Sequence, residues 1–316
     1  MSSQIAEKVY AAAEETAVLV DRSTLATFTI TGKSRLDILH RISTQAVSHL
    51  QSGQGAATVL TTDIGRIIDR LILYADDTAV TMLAGEGHRD PLARYLLRNV
   101  FFNDDFQLQD VTEETAVLAI YGLQAQTLLA SAGFPTDDLP LHHWRQANIG
   151  DTAVTLHKTE AIAGDGYFLL CPAASKETLW AHLQASGITP ADEAAFEYLR
   201  IAAGLPRFGR EMTLDYIPLE TGLWADVSFN KGCYTGQEII TRMESRGKLA
   251  KRMVRLRTHV PLEPGADITG GGKSVGTITS AATGPDGTVA LGYVKTAVLE
   301  AGTSLLVGET AVTVLE

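Results

Sequence analysis

The sequence predicts an α+β protein that ends in a small antiparallel β-barrel or sandwich. Its 316 residues are enough for about two domains at roughly 150 residues each. With 45% hydrophobic and 20% charged residues, the chain can bury a core and is not globally disordered. Strand and helix patterns alternate up to about residue 246, whereas ten of the 28 glycines fall between Gly265 and Gly308, amid short Val/Thr/Ile runs. Short strands with glycine turns are typical of a small barrel or sandwich, so we expect a domain boundary near residue 247.

The first region is predicted to form one α+β layer. A helix is expected from Ser34, because Ser34–Asp37 has the spacing of a capping box and an apolar face follows it. The segment Arg66–Tyr74 has the strongest strand pattern of the region. The other predicted helices cover residues 3–14 and 90–98, and the predicted strands cover 16–21, 24–31, 56–62, 66–75, 78–84, 106–111 and 114–121.

A second alternation of strands and helices follows. Pro190 is predicted to start a helix, with Asp192 and Glu193 in its favourable first turn. The segment 204–232 is rich in Pro and Gly, and loops of this length in compact domains are usually functional. The remaining elements of this region are helices at 124–131 and 175–184 and strands at 151–157 and 166–171.

Charge and cysteine content exclude several classes of protein. The 37 acidic and 26 basic residues give a formal net charge of −11, whereas DNA and anionic membranes bind clustered Lys and Arg. We therefore expect no direct nucleic-acid partner and no membrane partner. The N-terminus lacks the pattern of a secretory signal, and no apolar run approaches the ~20 residues that span a bilayer. Cys171 and Cys233 alone cannot form a disulfide scaffold or an all-Cys metal site, so a cytoplasmic location is predicted.

Two further patterns carry little functional information. Gly270–Ser274 is similar to a phosphate-binding loop, but Asp267 stands where that motif needs its first glycine, and no helix pattern follows. His142 and His143 form an isolated pair in a polar loop, where solvation or packing is expected rather than metal binding.

The segment Ser228–Glu238 is the strongest candidate for chemistry. Thr235 and Glu238 have the spacing of a capping box, so a helix is expected to begin here. Cys233 would then lie just ahead of a helix N-terminus, with Lys231 nearby, and both features favour a thiolate. The alternative from the residues alone is that Cys233 is a small buried apolar residue in a glycine-rich turn.

The segment Lys231–Glu238, Lys-Gly-Cys-Tyr-Thr-Gly-Gln-Glu, resembles the KGCYxGQE signature of the YgfZ-type folate-binding proteins. These proteins are relatives of the glycine-cleavage aminomethyltransferase, or T-protein. The resemblance extends over essentially the whole chain and is weakest from 120 to 190. Further matches are Gly32–Gln45, Gly65–Asp69, Gly204–Pro206, Pro218–Glu220, Ser228–Phe229, Arg242 and Arg246.

The resemblance implies an aminomethyltransferase-like fold, in which two α+β ferredoxin-like modules surround a central cavity and a C-terminal antiparallel β-barrel follows. The first module would comprise residues 1–110 and 190–246, the second 111–189, and the barrel 247–316. It also implies tetrahydrofolate as the cofactor and a role in assembly or repair of iron–sulfur clusters, among them those of tRNA-modifying enzymes. The partners would be iron–sulfur client or scaffold proteins, and Cys233 would act as the functional thiolate.

The resemblance also implies a set of folate-binding residues. Arg200 and Arg242 are expected to be available for the glutamate carboxylates of folate, and Phe196 to stack on its pterin. The full set is Leu25, Phe196, Arg200, Glu220, Lys231, Gly232, Tyr234, Gly236, Gln237 and Arg242.

Two positions, Ala202 and Leu25, depart from the pattern of the aminomethyltransferases and their relatives, whereas Asp90 matches it without the Asn that accompanies it there. Ala202 stands where those enzymes have a Glu that holds the pterin, and Leu25 stands where some relatives present a tryptophan. Asp90 falls at the position of their catalytic carboxylate, but an N-cap before Pro91 is the favoured alternative. The leading interpretation is therefore a folate-binding accessory protein, and the alternatives are a folate-dependent aminomethyl or methyl transferase and an interaction scaffold.

Overall fold

The computed structural model describes residues 3–315. The first 110 residues contain α1 (Ser3–Glu15), β1 (Val18–Asp21), β2 (Ala26–Thr31), α2 (Arg35–Ile42), β3 (Gly55–Thr61), β4 (Ile67–Ala75), β5 (Ala79–Ala84), α3 (Arg89–Arg98) and β6 (Gln107–Asp110). Strands β2–β6 form an antiparallel five-stranded sheet in the order β3-β4-β5-β2-β6. Helices α2 and α3 pack on one face of this sheet and form a core with it through Ile38, Leu39, Leu92 and Leu96.

The second sheet draws its strands from a wider stretch of the chain. It combines β1 with five strands of the next segment. That segment contains β7 (Thr115–Gly122), α4 (Ala125–Ser131), β8 (Trp144–Ile149), β9 (Thr152–Lys158), β10 (Asp165–Pro172), α5 (Lys176–Ala185) and β11 (Thr189–Pro190). The six strands lie in the order β11-β1-β7-β10-β9-β8, and only β1 and β11 pair in parallel. Residues 18–21, assigned from the sequence to the first module, therefore belong to the sheet of the second.

The remaining elements are α6 (Glu193–Ala203), α7 (Gln237–Arg246), β12 (Lys251–Thr258), β13 (Asp267–Gly270), β14 (Lys273–Gly284), β15 (Gly287–Lys295), α8 (Thr296–Glu300), β16 (Leu305–Val307) and β17 (Thr310–Leu315). The last six strands close into a barrel in the order β12-β15-β14-β13-β16-β17, and β17 pairs back with β12. The predicted C-terminal barrel is thus confirmed. Helix α6 lies where both sheets and the barrel meet, because Phe196 shares one core with Val18, Tyr74 and Val289.

Local sequence signals predicted most elements but misplaced several helix starts. Pro190 lies in β11, and α6 begins at Glu193, with Asp192 as N-cap accepting a 2.9 Å hydrogen bond from the Ala195 N–H. The Ser34 hydroxyl accepts from the Asp105 N–H instead of capping α2, so the capping box predicted there is not formed. Strand β8 was not predicted, since its burial alternates only weakly.

The capping box predicted at Thr235 is also absent. Helix α7 begins at Gln237, and its N-cap is Gly236, which has a left-handed φ of 82°. A side chain at Gly236 would meet the Thr62 carbonyl oxygen at 2.4 Å, so glycine is required by this close approach. The Thr61 hydroxyl donates to the Thr235 carbonyl at 2.6 Å, which ties the loop before α7 to the end of β3.

Candidate functional site

A cavity of about 430 Å³ lies between the two sheets, α6 and the barrel. This volume is in the range of small-molecule sites, which are mostly apolar with a few placed polar groups. The five-stranded sheet contributes Ile72 and Leu83, the six-stranded sheet contributes Tyr121 and Phe168, and the barrel contributes Met253. The other apolar lining residues include Leu25, Phe196, Leu205, Phe208, Met212 and Leu223.

Four arginines and four acidic residues line the same cavity, so its formal charge is balanced. Arg70 holds Asp226, with a hydrogen bond of 2.6 Å from its Nε, and also pairs with Glu160. Arg22 and Arg207 both pair with Glu86. The full charged lining comprises Arg22, Arg70, Arg200, Arg207, Asp69, Glu86, Glu160 and Asp226.

Asp69 is the fully buried carboxylate of this set. Strand β4 alternates between buried and half-buried positions, which places Asp69 on the same side as Ile67 and Leu71. Its oxygens accept from the backbone N–H of Arg70 at 2.8 Å and of Gly85 at 3.2 Å, and its Oδ2 lies 2.8 Å from His88 Nδ1. Burial raises the pKa of Asp69, and the hydrogen bond with His88 offsets only part of that rise.

The pKa of Glu160, on the facing wall, is lowered, whereas that of Asp69 is raised. Burial opposes ionisation, but the charge of Arg70 and its hydrogen bonds outweigh burial and lower the pKa of Glu160 to about 2. His142 Nε2 lies 3.5 Å from Glu160 Oε1, and burial lowers the pKa of His142. His142 also has a φ of 61°, an uncommon left-handed conformation for this residue type. The sequence placed His142 in a solvated or packed loop, and the structure makes it part of the cavity wall.

Three of the ten predicted folate contacts, Leu25, Phe196 and Arg200, line the cavity. The guanidinium of Arg22 lies 4.2 Å from the centre of the Phe196 ring and stacks on it. Ala202, where the aminomethyltransferases carry a Glu, lines a separate groove between α1, α6 and the barrel. A carboxylate at position 202 would therefore lie outside this cavity.

The predicted role of Arg200 is not supported by its contacts. Arg200 borders the cavity, but its guanidinium donates to Glu211 at 2.8 Å, to Glu197 at 2.8 Å and to Ser280 at 2.6 Å. The donors predicted for a folate carboxylate are thus used within the protein. Sequence analysis could not foresee this, because Ser280 lies in the barrel, 80 residues away along the chain.

The other predicted polar contacts lie outside the cavity lining. Arg242 is exposed on α7, where it pairs with Glu238. Glu220 is buried and accepts from the Ile217 N–H at 3.2 Å, and burial raises its pKa. Neither residue belongs to the lining of the central cavity among the described residues 3–315.

The signature segment lies at the surface of the first module. Cys233 is exposed, which excludes the alternative of a buried apolar residue. It precedes the first residue of α7 by four positions, so the predicted position just ahead of the helix is only approximate. Within residues 3–315, the cavity lining does not include the other predicted contacts of this segment, which are Lys231, Gly232, Tyr234, Gly236 and Gln237.

Lys231 instead binds backbone carbonyl oxygens of the first module. Its Nζ donates to the carbonyl oxygens of Ser43 at 2.7 Å and Gln45 at 3.0 Å, and also to that of His40. Burial lowers the pKa of Lys231 to about 8. The sequence suggested that its charge activates Cys233, but the ammonium is directed into the turn that follows α2.

The prediction for Asp90 requires correction. Asp90 is exposed in the first turn of α3, whose N-cap is His88, so it is neither the cap nor a residue of the cavity lining. Asp69 is the carboxylate that sequence reasoning missed. Its signal was present, because Asp69 is an acidic residue at an inward-facing position of the otherwise apolar alternation Ile67, Leu71 and Leu73.

Comparison with known protein families assigns this chain to one of them. Residues 2–231 match the family model of the GCVT N-terminal domain, and residues 251–313 match that of the glycine cleavage T-protein C-terminal barrel domain. This chain belongs to the GCVT family. The predicted relation to the aminomethyltransferases is thereby confirmed, whereas membership of the YgfZ-type subgroup stays a prediction.

Individual GCVT relatives agree with this assignment. The chain is 30% identical over 297 residues to a chloroplastic protein of Arabidopsis thaliana named as a candidate transferase, and 92% of this chain and 68% of that protein are covered. It is 27% identical over 306 residues to the aminomethyltransferase of Synechocystis, with 93% and 82% covered. It spans 64% of the aminomethyltransferase of Halalkalibacterium halodurans, less than two thirds of that protein.

The fold agrees with a solved GCVT structure. The crystal structure of aminomethyltransferase T from Bartonella henselae superposes with a TM-score of 0.86 at 24% identity, and 98% of this chain and 88% of that chain are covered. The aminomethyltransferase-like fold predicted from the sequence is therefore confirmed. Across residues 3–315, no helix is long and apolar enough to cross a membrane.

Proposed function

We propose that this GCVT-family protein binds a reduced folate in its central cavity and uses the exposed thiol of Cys233 in assembly or repair of iron–sulfur clusters on partner proteins. The observation that carries the proposal is the separation of the two sites. The cavity has the size and lining of a small-molecule site, while Cys233 lies outside that lining and is open to a partner.

The lining of the cavity fits the chemistry of a reduced folate. Phe196 and Leu25 offer aromatic and apolar contact for a pterin ring, and Asp69 and Glu160 are carboxylates that accept hydrogen bonds from ring N–H groups. When bound, tetrahydrofolate would supply nitrogen atoms that carry one-carbon units. A carboxylate at position 202 is not needed for this recognition, because that position borders a different groove.

Arg22 takes over the role that the sequence suggested for Arg200. Its side chain is 7% exposed and lines the cavity, and within residues 3–315 its Nη1 has no hydrogen-bond partner. The contact of Nη1 with Glu193 Oε2 is 3.8 Å long, beyond hydrogen-bond distance. A buried guanidinium N–H without a partner favours an acceptor on a ligand, such as a carbonyl or carboxylate oxygen of folate.

The exposed thiol favours the accessory role over a purely internal reaction. A cluster is the substrate here, and one thiol cannot hold it alone, so the remaining ligands would come from iron–sulfur client or scaffold proteins. Among residues 3–315, no cluster of three or more His, Cys, Asp or Glu side chains could bind a metal ion. Tetrahydrofolate-dependent support of tRNA-modifying iron–sulfur enzymes in the cytoplasm is the specific form of this proposal.

A folate-dependent aminomethyl or methyl transferase is the second candidate, and Asp69 is the observation that favours it. A buried carboxylate with a raised pKa in a cavity is a common feature of acid–base sites. Such a carboxylate stabilises positive charge that develops during one-carbon transfer. Asp69 therefore replaces Asp90 as the residue on which this alternative rests.

Complementation in cells that lack the protein separates the two candidates. Cys233→Ser keeps the size of the side chain but removes the soft, readily ionised sulfur. Asp69→Asn keeps its shape but removes the negative charge. The accessory role predicts that Cys233→Ser fails to restore the activity of iron–sulfur enzymes. The transferase role predicts that Cys233→Ser restores it and that Asp69→Asn, which loses the reacting carboxylate, does not.

The exposed Asp90 provides the matched control. Asp90→Asn should restore activity under either candidate, because its carboxylate lies outside the cavity lining. Restoration by Cys233→Ser, together with failure of a folded Asp69→Asn variant, would reject the accessory role and favour the transferase. Thermal unfolding of each purified variant shows whether a failure reflects loss of the fold.

A further inference from the structure

Asp69 differs from the other carboxylates of the cavity in the nature of its partner. Glu160 and Asp226 pair with Arg70, and Glu86 pairs with Arg22 and Arg207. An arginine keeps its charge at all physiological pH values, so these pairs are permanent. Asp69 pairs instead with a histidine, whose charge ordinarily changes near neutral pH.

The loop that carries His88 is shaped around this pair. The Gly85 N–H donates to both oxygens of Asp69 at 3.2 Å, and the His88 N–H donates to the Gly85 carbonyl at 3.2 Å. The ring of His88 stacks on Phe208 at 4.5 Å, and Phe208 lines the cavity. A side chain at Gly85 would meet the Phe208 ring at 2.3 Å, so glycine permits this stacking. Both the orientation and the tautomer of His88 are therefore restrained.

The two side chains differ in their access to solvent. The Asp69 side chain is 0% exposed, whereas the His88 side chain is 18% exposed and is not part of the cavity lining within residues 3–315. His88 thus bridges a buried carboxylate at the cavity wall and the outside of the protein. A proton on the pair can move between Asp69 Oδ2 and His88 Nδ1 along their 2.8 Å contact.

We propose that His88 is a positioning residue that sets the charge of the cavity wall at Asp69, so that the Asp69–His88 pair binds anionic ligands more tightly when it holds its extra proton. With the proton, the pair is a neutral carboxylate–imidazolium couple. Without it, the pair carries one negative charge beside a ligand with carboxylates of its own. This inference rests on the proposed binding of a reduced folate, which carries glutamate carboxylates.

Most of the other charged groups around the pair are held in ion pairs with arginines, which keep their charge. On the same wall, Arg22 and Arg207 each pair with Glu86. Across the cavity, Arg70 holds Glu160 and Asp226, and the pKa of Glu160 is about 2. The second histidine of the wall, His142, has its pKa lowered by burial. On α3 itself, the neighbours of His88 are Arg89, which pairs with Glu113, and the exposed Asp90.

Calorimetry with 5-formyltetrahydrofolate, a stable reduced folate, tests the inference on the full-length protein. Affinity should fall roughly tenfold from about pH 5.5 to about pH 8, the effect of one buried charge on an anionic ligand at an effective dielectric constant of ~20. In buffers of different ionisation enthalpy, binding should be accompanied by uptake of up to about one proton. His88→Gln keeps a hydrogen-bond donor but cannot carry the charge, so the midpoint of the pH profile should shift or disappear.

The matched control is His182→Gln. His182 lies on α5, away from the cavity lining, and its Nε2 contacts the Ala132 carbonyl at 2.9 Å, so this variant should retain the wild-type profile. If His88→Gln does not fold, Asp69→Asn serves as the second variant and should also lose the wild-type midpoint. Binding with the same pH profile in His88→Gln and wild type overturns the inference and leaves the folate site intact. Absence of 5-formyltetrahydrofolate binding at every pH rejects the proposed folate site, and the inference falls with it.

Discussion

Asp69 and Glu160 are two carboxylates of one cavity whose pKa values move in opposite directions. Burial dominates for Asp69 and raises its pKa, whereas the charge of Arg70 outweighs burial for Glu160 and lowers its pKa to about 2. Glu160 is therefore a permanent ion-pair partner, and Asp69 is the carboxylate suited to proton exchange. At the scale of single residues, function depends on the partner of a side chain more than on its type.

Phe196 allows a test of the folate site at this scale. Phe196→Ala removes an aromatic ring from the cavity wall, and we expect folate binding to weaken by ~1–3 kcal/mol, the scale of a lost stacking and burial contact. Calorimetry measures the change. Phe101→Ala is the matched control, since Phe101 is 61% exposed and lies outside the cavity lining. Equal affinity in wild type and Phe196→Ala would show that folate does not contact this wall.

At the scale of elements, the loop before α7 is held by the first module and not by its own helix. The Lys231 ammonium satisfies backbone carbonyls in the turn after α2, and the Thr61 hydroxyl holds the Thr235 carbonyl. Gly236 packs so closely on Thr62 that its left-handed conformation is enforced. The exposed Cys233 is thus presented on a loop that is fixed at both ends.

Replacing Lys231 by Met tests this anchoring. The variant keeps an unbranched, flexible side chain but leaves the carbonyls of His40, Ser43 and Gln45 without their charged donor. We expect the free energy of unfolding to fall by ~1–3 kcal/mol in urea denaturation, because buried acceptors lose their partner. Lys248→Met, at an exposed position, should change it by less than about 0.5 kcal/mol. Equal stability of the two variants would mean that the loop is held by other contacts.

At the scale of the whole molecule, a buried polar cluster joins α6, the following loop and the barrel. Arg200 and Glu211 have side chains that are 2% and 0% exposed, and both bond to the Ser280 hydroxyl of β14. The Tyr293 hydroxyl of β15 donates to the Glu211 carbonyl at 2.8 Å. The barrel is therefore coupled to the helix that carries Phe196, which makes it part of the framework of the cavity.

Glu211→Gln is predicted to disturb this coupling. The substitution keeps the shape but removes the charge that faces the buried guanidinium of Arg200, and breaking such a pair costs roughly 3 to 5 kcal/mol. Chemical denaturation should show this loss, and Glu244→Gln, at an exposed position on α7, should not. A loss below about 1 kcal/mol would indicate that Glu197 alone stabilises Arg200, since both oxygens of Glu197 accept hydrogen bonds from that guanidinium.

The sequence by itself determined the order of most elements and a C-terminal region of short antiparallel strands, which the structure closes into a barrel. Alternation of apolar residues along β4 and the glycine spacing after residue 265 depend on the local geometry of the backbone, which neighbouring residues are enough to specify. Helix starts were less reliable, because a capping side chain can find a distant partner instead. Ser34 does so by accepting from the Asp105 N–H.

Only the tertiary structure decided which side chains meet at the cavity. Arg70 reaches Asp226 across 156 residues of sequence, and Arg200 reaches Ser280 across 80. Such long-range contacts occupy the donors of Arg200 and direct the Lys231 ammonium away from Cys233. The folded arrangement also buries Asp69 and leaves Asp90 exposed. Desolvation and ion pairing depend on everything that packs around a group, so charge states at the site follow from the folded arrangement and not from spacing along the chain.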